Sequence, residues 1–380
     1  MNLLHISTFL QGGAGKVIAD LAVKEKSRGN NIWVVCTKKS TGNYSNYSAH
    51  LDLLHEKSIP VIFLESTFKR ELNNITSASN QLVDIITKYE VDLIHSHAGT
   101  PSLIAMIAAT KASKRIPVLQ TMHGWGIFKT KLQKNQDISI LNLLDRVVTV
   151  SKSSEKVLVK NGLKHANHST IYNGVSSTQK LIPVEDDPGI KKVKRLKSKG
   201  HFIGGCVGTI DERKNQRLII EALNILPVSL PYQFFFIGEG TAIQELKILC
   251  AEYGISDKVH FLDYKPNGRE YISLLDLLVC PSLSEGAPPL TMMEAFAEKV
   301  PVLASNTSEH SEAIKHKTTG LLFTNESATS LAKLLESCIN DGEKNQYAAN
   351  AYQYFEENFI FEKNSNKYNK LYQRLLENLH

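Results

Sequence analysis

Two carboxylates, Glu285 and Glu294, flank a Gly/Pro loop in the stretch Pro281-Ser-Leu-Ser-Glu-Gly-Ala-Pro-Pro-Leu-Thr-Met-Met-Glu294. The loop follows an apolar run, Leu274 to Cys280, that reads as a buried strand, and leads into an apolar helix from Met292 onward. A carboxylate at a strand's C-terminal end, and another in the first turn of the next helix, face the crevice where open α/β sheets bind ligands. Upstream, Gly208-Thr-Ile-Asp-Glu-Arg-Lys-Asn215 places two cations, Arg213 and Lys214, after another strand. Cations beside a helix N-terminus suit a diphosphate, and carboxylates suit sugar hydroxyls. Each charge-assisted bond to phosphate would be worth about 1.5–3 kcal/mol. The combination points to a nucleotide sugar. Two bland readings compete. Arg213 and Lys214 also fit a solvated turn, and Thr291-Met-Met-Glu294 fits a capping box worth about 1 kcal/mol, with Thr291 as N-cap.

Other residues could do chemistry at strand ends. His123 closes an apolar run and precedes Gly124; His97 ends Asp92-Leu-Ile-His-Ser-His97. His5 lies inside the first strand and reads as core. Gln11-Gly-Gly-Ala-Gly-Lys-Val17 misses the Walker pattern, with Leu10 in place of the first glycine and Val17 in place of Ser/Thr. It also misses the dinucleotide fingerprint. What survives is a glycine turn, Gly12 and Gly13 foremost, through which backbone N–H groups can approach an anion or sugar. The chain contains no Asp-x-Asp to chelate a metal on a diphosphate. Side-chain cations and a helix dipole are the simpler neutralising elements, so no metal and no cofactor are expected.

These residues need a scaffold. Short apolar runs without clear alternation suggest strands buried on both faces of a parallel sheet. They occur at Leu3–Ser7, Asn31–Cys36, Val61–Leu64, Val91–His95, Pro117–Met122 and Arg146–Val150, and again at Phe202–Val207, Tyr232–Ile237, Val259–Leu262, Leu277–Cys280 and Pro301–Ala304. Amphipathic segments lie between most of them. The reading is two doubly wound α/β domains facing across a cleft. Their expected limits are 1–175, an interdomain linker at 176–200, a second domain at 201–343, and a helical segment at 344–380 packing back on the first domain. A chain of 380 residues is long enough for two such cores.

Composition sets limits. Hydrophobic content of 42% and charged content of 22% are ordinary for a globular protein. The five cysteines form no CxxC, which suits a reduced, cytoplasmic setting without structural zinc. No secretory leader or long apolar span is visible. The net charge of +6 suits solubility, and also peripheral contact with an anionic membrane at the inner face of the cell. No nucleic-acid-binding motif accompanies it.

Taken in order, the motifs resemble those of the retaining GT-B glycosyltransferases, glycosyltransferases group 1. The similarity rests on Gly12-Gly-Ala14, Thr121-Met-His-Gly124, Asp145-Arg-Val-Val-Thr-Val-Ser151, Ile171-Tyr-Asn-Gly-Val175, Phe236-Ile-Gly-Glu-Gly240, Cys280-Pro-Ser-Leu-Ser-Glu-Gly286 with Met293-Glu-Ala295, and Pro301-Val-Leu-Ala-Ser305 with Thr319-Gly-Leu321. The resemblance implies two Rossmann-like domains, the first mainly for the acceptor and the second for the donor. It implies transfer of a hexose-type sugar from a nucleotide diphosphate to a glycan or lipid-linked acceptor, with retention, in cell-envelope polysaccharide or lipopolysaccharide synthesis. It gives Lys214 the donor diphosphate, Glu294 the ribose hydroxyls, and Glu285 and His123 positions beside the sugar, the three catalytic candidates being His123, Lys214 and Glu285. Gly12, Gly13, Thr209, Arg213, Gly286, Ala287 and Leu290 complete the expected donor-binding set. Two departures stand out: Thr209 replaces the arginine common after the glycine, and eight residues separate Glu285 from Glu294, one more than the family pattern. A sugar-nucleotide epimerase of the same fold and a noncatalytic partner protein are the alternatives.

Overall fold

The apolar runs form strands, the central ones buried on both faces, and all the pairings are parallel. The computed structural model describes every residue except 39, 41–44, 67, 126–128, 165–167, 178–185, 341–343 and 379–380. The chain divides into two compact units, Met1–Asn173 with Glu362–His380, and Gly174–Phe361.

In the first unit the strands are β1 (Asn2–Ile6), β2 (Asn31–Thr37), β3 (Val61–Leu64), β4 (Leu93–Ser96), β5 (Val118–Met122), β6 (Arg146–Thr149) and β7 (His168–Thr170). They form one sheet in the order β3-β2-β1-β4-β5-β6-β7. Helices make the crossovers, for example Gly12–Ser27 between β1 and β2. Strands β1, β4 and β5 show no alternation of exposure because helices cover both faces. Leu4, Ile6, Val35 and Ile94 are fully buried against Leu82 and Ile104 in one core. Each such side chain contributes about 1.5–3 kcal/mol relative to exposure. The strand order reverses between β1 and β4, the switch point at which such sheets bind ligands.

The second unit repeats the plan with β8 (Phe202–Val207), β9 (Tyr232–Ile237), β10 (Val259–Leu262), β11 (Leu277–Cys280), β12 (Val302–Ser305) and β13 (Leu321–Phe323). The order is β10-β9-β8-β11-β12-β13, so its switch point lies between β8 and β11. Phe234 and Phe236, at alternate positions of β9, pack on one face with Leu218, Leu223 and Leu246 from the covering helices.

Three expectations change. The stretch 176–200 is not all linker: 178–185 fall outside the described residues, but Pro188–Ser198 is a helix of the second unit. Asp187 caps it by accepting from Gly189 N at 2.8 Å, Pro188 starts it, and Ile190 and Val193 are buried. The dense lysines had hidden this apolar i, i+3 pair. The segment 344–380 divides as well. Lys344–Asn358 belongs to the second unit, where Ala348, Ala351 and Phe355 are buried and Tyr354 Oη donates to Glu312 O at 3.2 Å. Nearly all of Phe361–Glu377 belongs to the first unit. There Tyr372 Oη meets His95 Nδ1 at 2.8 Å and Tyr368 Oη meets Thr121 Oγ1 at 3.1 Å. Finally, β7 and β13, at three residues each, escape a pattern search because they are shorter than the repeat that would reveal them.

All five cysteines are buried and none forms a disulfide; burial pushes the thiols of Cys36 and Cys206 up to about 12. Among the described residues no helix is long and apolar enough to cross a membrane.

Candidate functional site

In the second unit the loops after β8 and β11 flank the switch point, and they meet. Residues 208–215 leave β8 through Gly208, and a short 3-10 turn, Glu212–Lys214, follows. Asp211 caps that turn by accepting from Lys214 N at 2.8 Å, and Asn215 closes it in the left-handed region. The β9 loop locks it from the side: Ile210 N donates to Glu239 O at 2.8 Å, and a Cβ on Gly238 (φ +143) would collide with Gly208 O. The β11 loop is tied on by Leu283 N donating to Arg213 O at 2.9 Å.

This frame aims both cations at one carboxylate. Lys214 Nζ lies 2.5 Å from Glu285 Oε1, and Arg213 Nη1 lies 3.1 Å from Glu285 Oε2 and from Ser284 O. Burial pushes the Glu285 carboxyl up, but Lys214 and Arg213 outweigh it and hold the carboxyl at about 2. Two cations share one anion, so the cluster keeps one net positive charge. Sequence reasoning had assigned Glu285 to a sugar; the structure joins it to the two residues assigned to phosphate.

The helix after this loop runs Leu290–Ala297 with Pro289 as N-cap and no side-chain cap. Thr291 is therefore inside the helix, and the capping-box reading of Thr291 with Glu294 does not apply. Glu294 is the fifth helical residue, half-buried, and stands in the second turn rather than the first. Gly286 and Leu290 are half-buried and Ala287 is buried at the loop's far side. The Thr209 carbonyl accepts from Gln216 Nε2 at 2.8 Å, which anchors the β8 loop to its helix.

In the first unit the glycine turn opens the helix Gly12–Ser27 directly after β1. Gly12 has φ +55, with open space where a side chain would start. Gly13 follows it, exposed more than its neighbours. Gly15 is required by packing, since a Cβ there would strike the Leu10 backbone. Across the switch point, the ends of β4 and β5 bring histidines together. His97 Nδ1 lies 3.0 Å from His123 Nε2, and His97 Nε2 lies 3.0 Å from His5 Nδ1. His123 and His97 line a pocket with Gln120, Met122, Lys129 and Asp137. Asp137 is paired with Arg70 and, at 2.5 Å, with Lys129. Burial lowers His5 to about 3 and His123 to about 4, and holds His95 and His97 well below the usual imidazole range. All four are neutral at pH 7.

His5, His95 and His97 place ring nitrogens within 4.8 Å of one another, a spacing a metal ion can use. Both nitrogens of His95 and of His97 are already in hydrogen bonds, and these two rings lie tilted at 34° with centroids 4.1 Å apart. Sequence reasoning left His5 as core and weighed His97 as a lesser His123; the adjacency of β1 and β4 was the missing signal. It also missed the buried support beneath Glu285. Ser282 hydrogen-bonds to Glu285, and its carbonyl accepts from Ser305 Oγ at 2.6 Å. Ser305 O accepts from His310 Nδ1 at 2.9 Å.

Comparison with known proteins agrees with this layout. Residues 11–179 match the model of Glycosyltransferase Family 4, and residues 189–354 match that of Glycosyl transferases group 1. The UDP-Gal:alpha-D-GlcNAc-diphosphoundecaprenol alpha-1,3-galactosyltransferase of Escherichia coli is 23% identical over 309 residues, 77% of this chain and 76% of that one. The O-antigen biosynthesis glycosyltransferase WclY of Escherichia coli is 22% identical over 290 residues, 72% of this chain and 79% of that one. In fold, the chain is similar to Anabaena HepE in complex with UDP-glucose, with a TM-score of 0.84 at 20% identity over 98% of this chain and 100% of that one. Two parallel Rossmann-like sheets, a match to one family model in each unit and named transferases among the relatives lead to one assignment: the chain belongs to the glycosyltransferases group 1, enzymes of the GT-B fold.

Proposed function

We propose that the protein transfers a hexose-type sugar from a nucleotide diphosphate sugar to a glycan or lipid-linked acceptor, with retention of anomeric configuration, in the synthesis of cell-envelope polysaccharide or lipopolysaccharide. The observation that carries this reading is the pairing of Lys214 and Arg213 on a two-loop frame at a sheet switch point. Two relatives, named for galactose transfer to a diphosphoundecaprenol acceptor and for O-antigen synthesis, support the acceptor class. A neighbour solved with UDP-glucose supports the donor class.

In this reading the donor diphosphate draws Lys214 and Arg213 partly away from Glu285, which has held them in place. As the bond from the anomeric carbon to the diphosphate oxygen breaks, its electron pair leaves with the nucleoside diphosphate. Lys214, Arg213 and the first amides of Leu290–Ala297 stabilise that charge; this electrostatic contribution is the largest one. The acceptor hydroxyl attacks the same face of the sugar and passes its proton to a phosphate oxygen. Glu294 holds the ribose hydroxyls, and His123 supports the sugar. Neutralisation by side chains makes a metal unnecessary, and the protein works in the cytoplasm, against the inner face of the membrane.

Incubation with UDP-, GDP- and ADP-sugars and a lipid-linked acceptor tests this. One donor should be consumed with formation of an α-linked product from an α-linked donor, read by NMR. Failure of every donor to turn over or bind, or an inverted product, would overturn the reading.

A further inference from the structure

The three imidazoles His5, His97 and His123 form an unbroken line of two hydrogen bonds, each 3.0 Å long. His5 is fully buried in β1, His97 is 6% exposed, and His123 is half-buried beside the pocket. The two outer nitrogens, His5 Nε2 and His123 Nδ1, are buried and have no partner among the described residues. No carboxylate hydrogen-bonds to any of the three among the described residues; Asp137, which lines the same pocket, is paired with Arg70 and Lys129 instead.

Proton counting limits the line to two states. Three neutral imidazoles carry three N–H protons, and two of them are used in the two hydrogen bonds. The third must sit at one end. In one state it is on His5 Nε2, an N–H donor enclosed in the sheet core with nothing to accept it. In the other it is on His123 Nδ1, at the end that borders the pocket. Either end leaves one buried N–H without a partner, but His5 is sealed on every side, whereas the His123 ring is half-buried and lines the pocket, where a ligand oxygen can come within reach. The second state is favoured: His5 Nδ1 donates to His97 Nε2, His97 Nδ1 donates to His123 Nε2, and His123 keeps its proton on Nδ1.

We propose that His5 and His97 are positioning residues that hold His123 as the Nδ1–H tautomer, so that it offers a hydrogen-bond donor to an oxygen of the bound donor sugar. The identity of that oxygen rests on the transferase reading; the tautomer does not. A neutral donor supports the sugar without placing a second positive charge near the developing oxocarbenium, and a line of fixed dipoles needs no reorganisation during the reaction. His95 stays outside the line, with both its nitrogens committed to Tyr372 and Thr121.

The test is long-range 1H–15N NMR of the full chain labelled with 15N-histidine, at pH 7 and without donor or acceptor, so that its result is independent of whether sugar transfer is found. The expected result is His123 and His97 protonated on Nδ1 and bare on Nε2. His97→Leu should turn His123 into a mixture of tautomers, while His97→Gln, whose amide can accept at one end and donate at the other, should restore the single form. Donor turnover should follow, with kcat about tenfold lower in His97→Leu and KM nearly unchanged, since the misoriented dipole is felt most in the transition state. An Nε2–H tautomer or an imidazolium at His123 in the wild type would overturn the proposal. So would an unchanged His123 tautomer in His97→Leu, or stoichiometric capture of added zinc by His5 and His97.

Discussion

The two sheets present opposite chemistry at equivalent places. Beside the switch point of the first unit the strand ends carry neutral imidazoles, joined ring to ring and lowered by burial. Beside that of the second unit the loops carry three charges in contact, two positive and one negative, and the carboxylate is stabilised as an anion despite burial. The fold is the same, so the difference lies in what the strand ends hold. β1 holds His5, and β4 and β5 lead directly into His97 and His123, all of which burial keeps uncharged. β8 and β11 end in loops long enough to bring opposite charges together, and the Coulomb gain there exceeds the desolvation cost. In the proposed function the first unit meets the uncharged sugar and the second meets the diphosphate.

The largest expected effect breaks the charged side. Lys214→Ala should lower donor turnover by about 10²–10³, as loss of a well-placed electrostatic stabiliser does elsewhere. A kcat within twofold of wild type would remove the second unit's claim. Arg213→Ala should cost less, about tenfold, because its guanidinium is more exposed than the Lys214 amine and more screened.

Acid should separate the two units. The histidines of the first unit gain protons in the unfolded chain near pH 6.5, and in the folded chain only near 3 for His5 and 4 for His123. The unfolded state therefore binds more protons between those limits, and stability falls as pH drops below about 6.5. Glu285 behaves differently: its stabilisation is complete above the ordinary carboxylate value and is lost only as pH falls toward about 2. In the second unit burial also lowers His260 and His310, but the first unit carries five such groups, His5, His50, His95, His97 and His123. Hydrogen exchange at pH 5 should show the first unit losing protection before the second; the reverse order would contradict the assignment of neutral imidazoles.

A smaller effect sharpens the role of Glu285. Glu285→Gln frees Lys214 and Arg213 from their shared anion, so calorimetry should show a nucleoside diphosphate binding several-fold more tightly, with lower thermal stability when empty. Weaker binding would mean that Glu285 positions the cations more than it competes for them.

Much of this was legible in the sequence where a residue's partner is close in the chain. The strands β1, β2, β8, β9 and β11 are apolar runs that local reading finds, and so is the cation pair at Arg213 and Lys214. What was missed depended on order across a sheet. His5 reads as core until β4 is known to lie beside β1. Glu285 and Lys214 are 71 residues apart, and only the adjacency of β8 and β11 makes them an ion pair. The helix Pro188–Ser198 was obscured because its buried side chains beyond Gly189 are only Ile190 and Val193, amid lysines. The capping box at Thr291 failed for a local reason: Pro289 already sets the extended backbone that starts the helix two residues earlier.

The central claim is that the second unit neutralises a diphosphate through Lys214. Calorimetric titration with a nucleoside diphosphate and with its uncharged nucleoside, into the wild type and Lys214→Ala, tests it directly. The account predicts that the wild type binds the diphosphate far better than the nucleoside, and that Lys214→Ala loses at least tenfold of the diphosphate affinity with the nucleoside unaffected. Equal diphosphate affinity in the two proteins would contradict it.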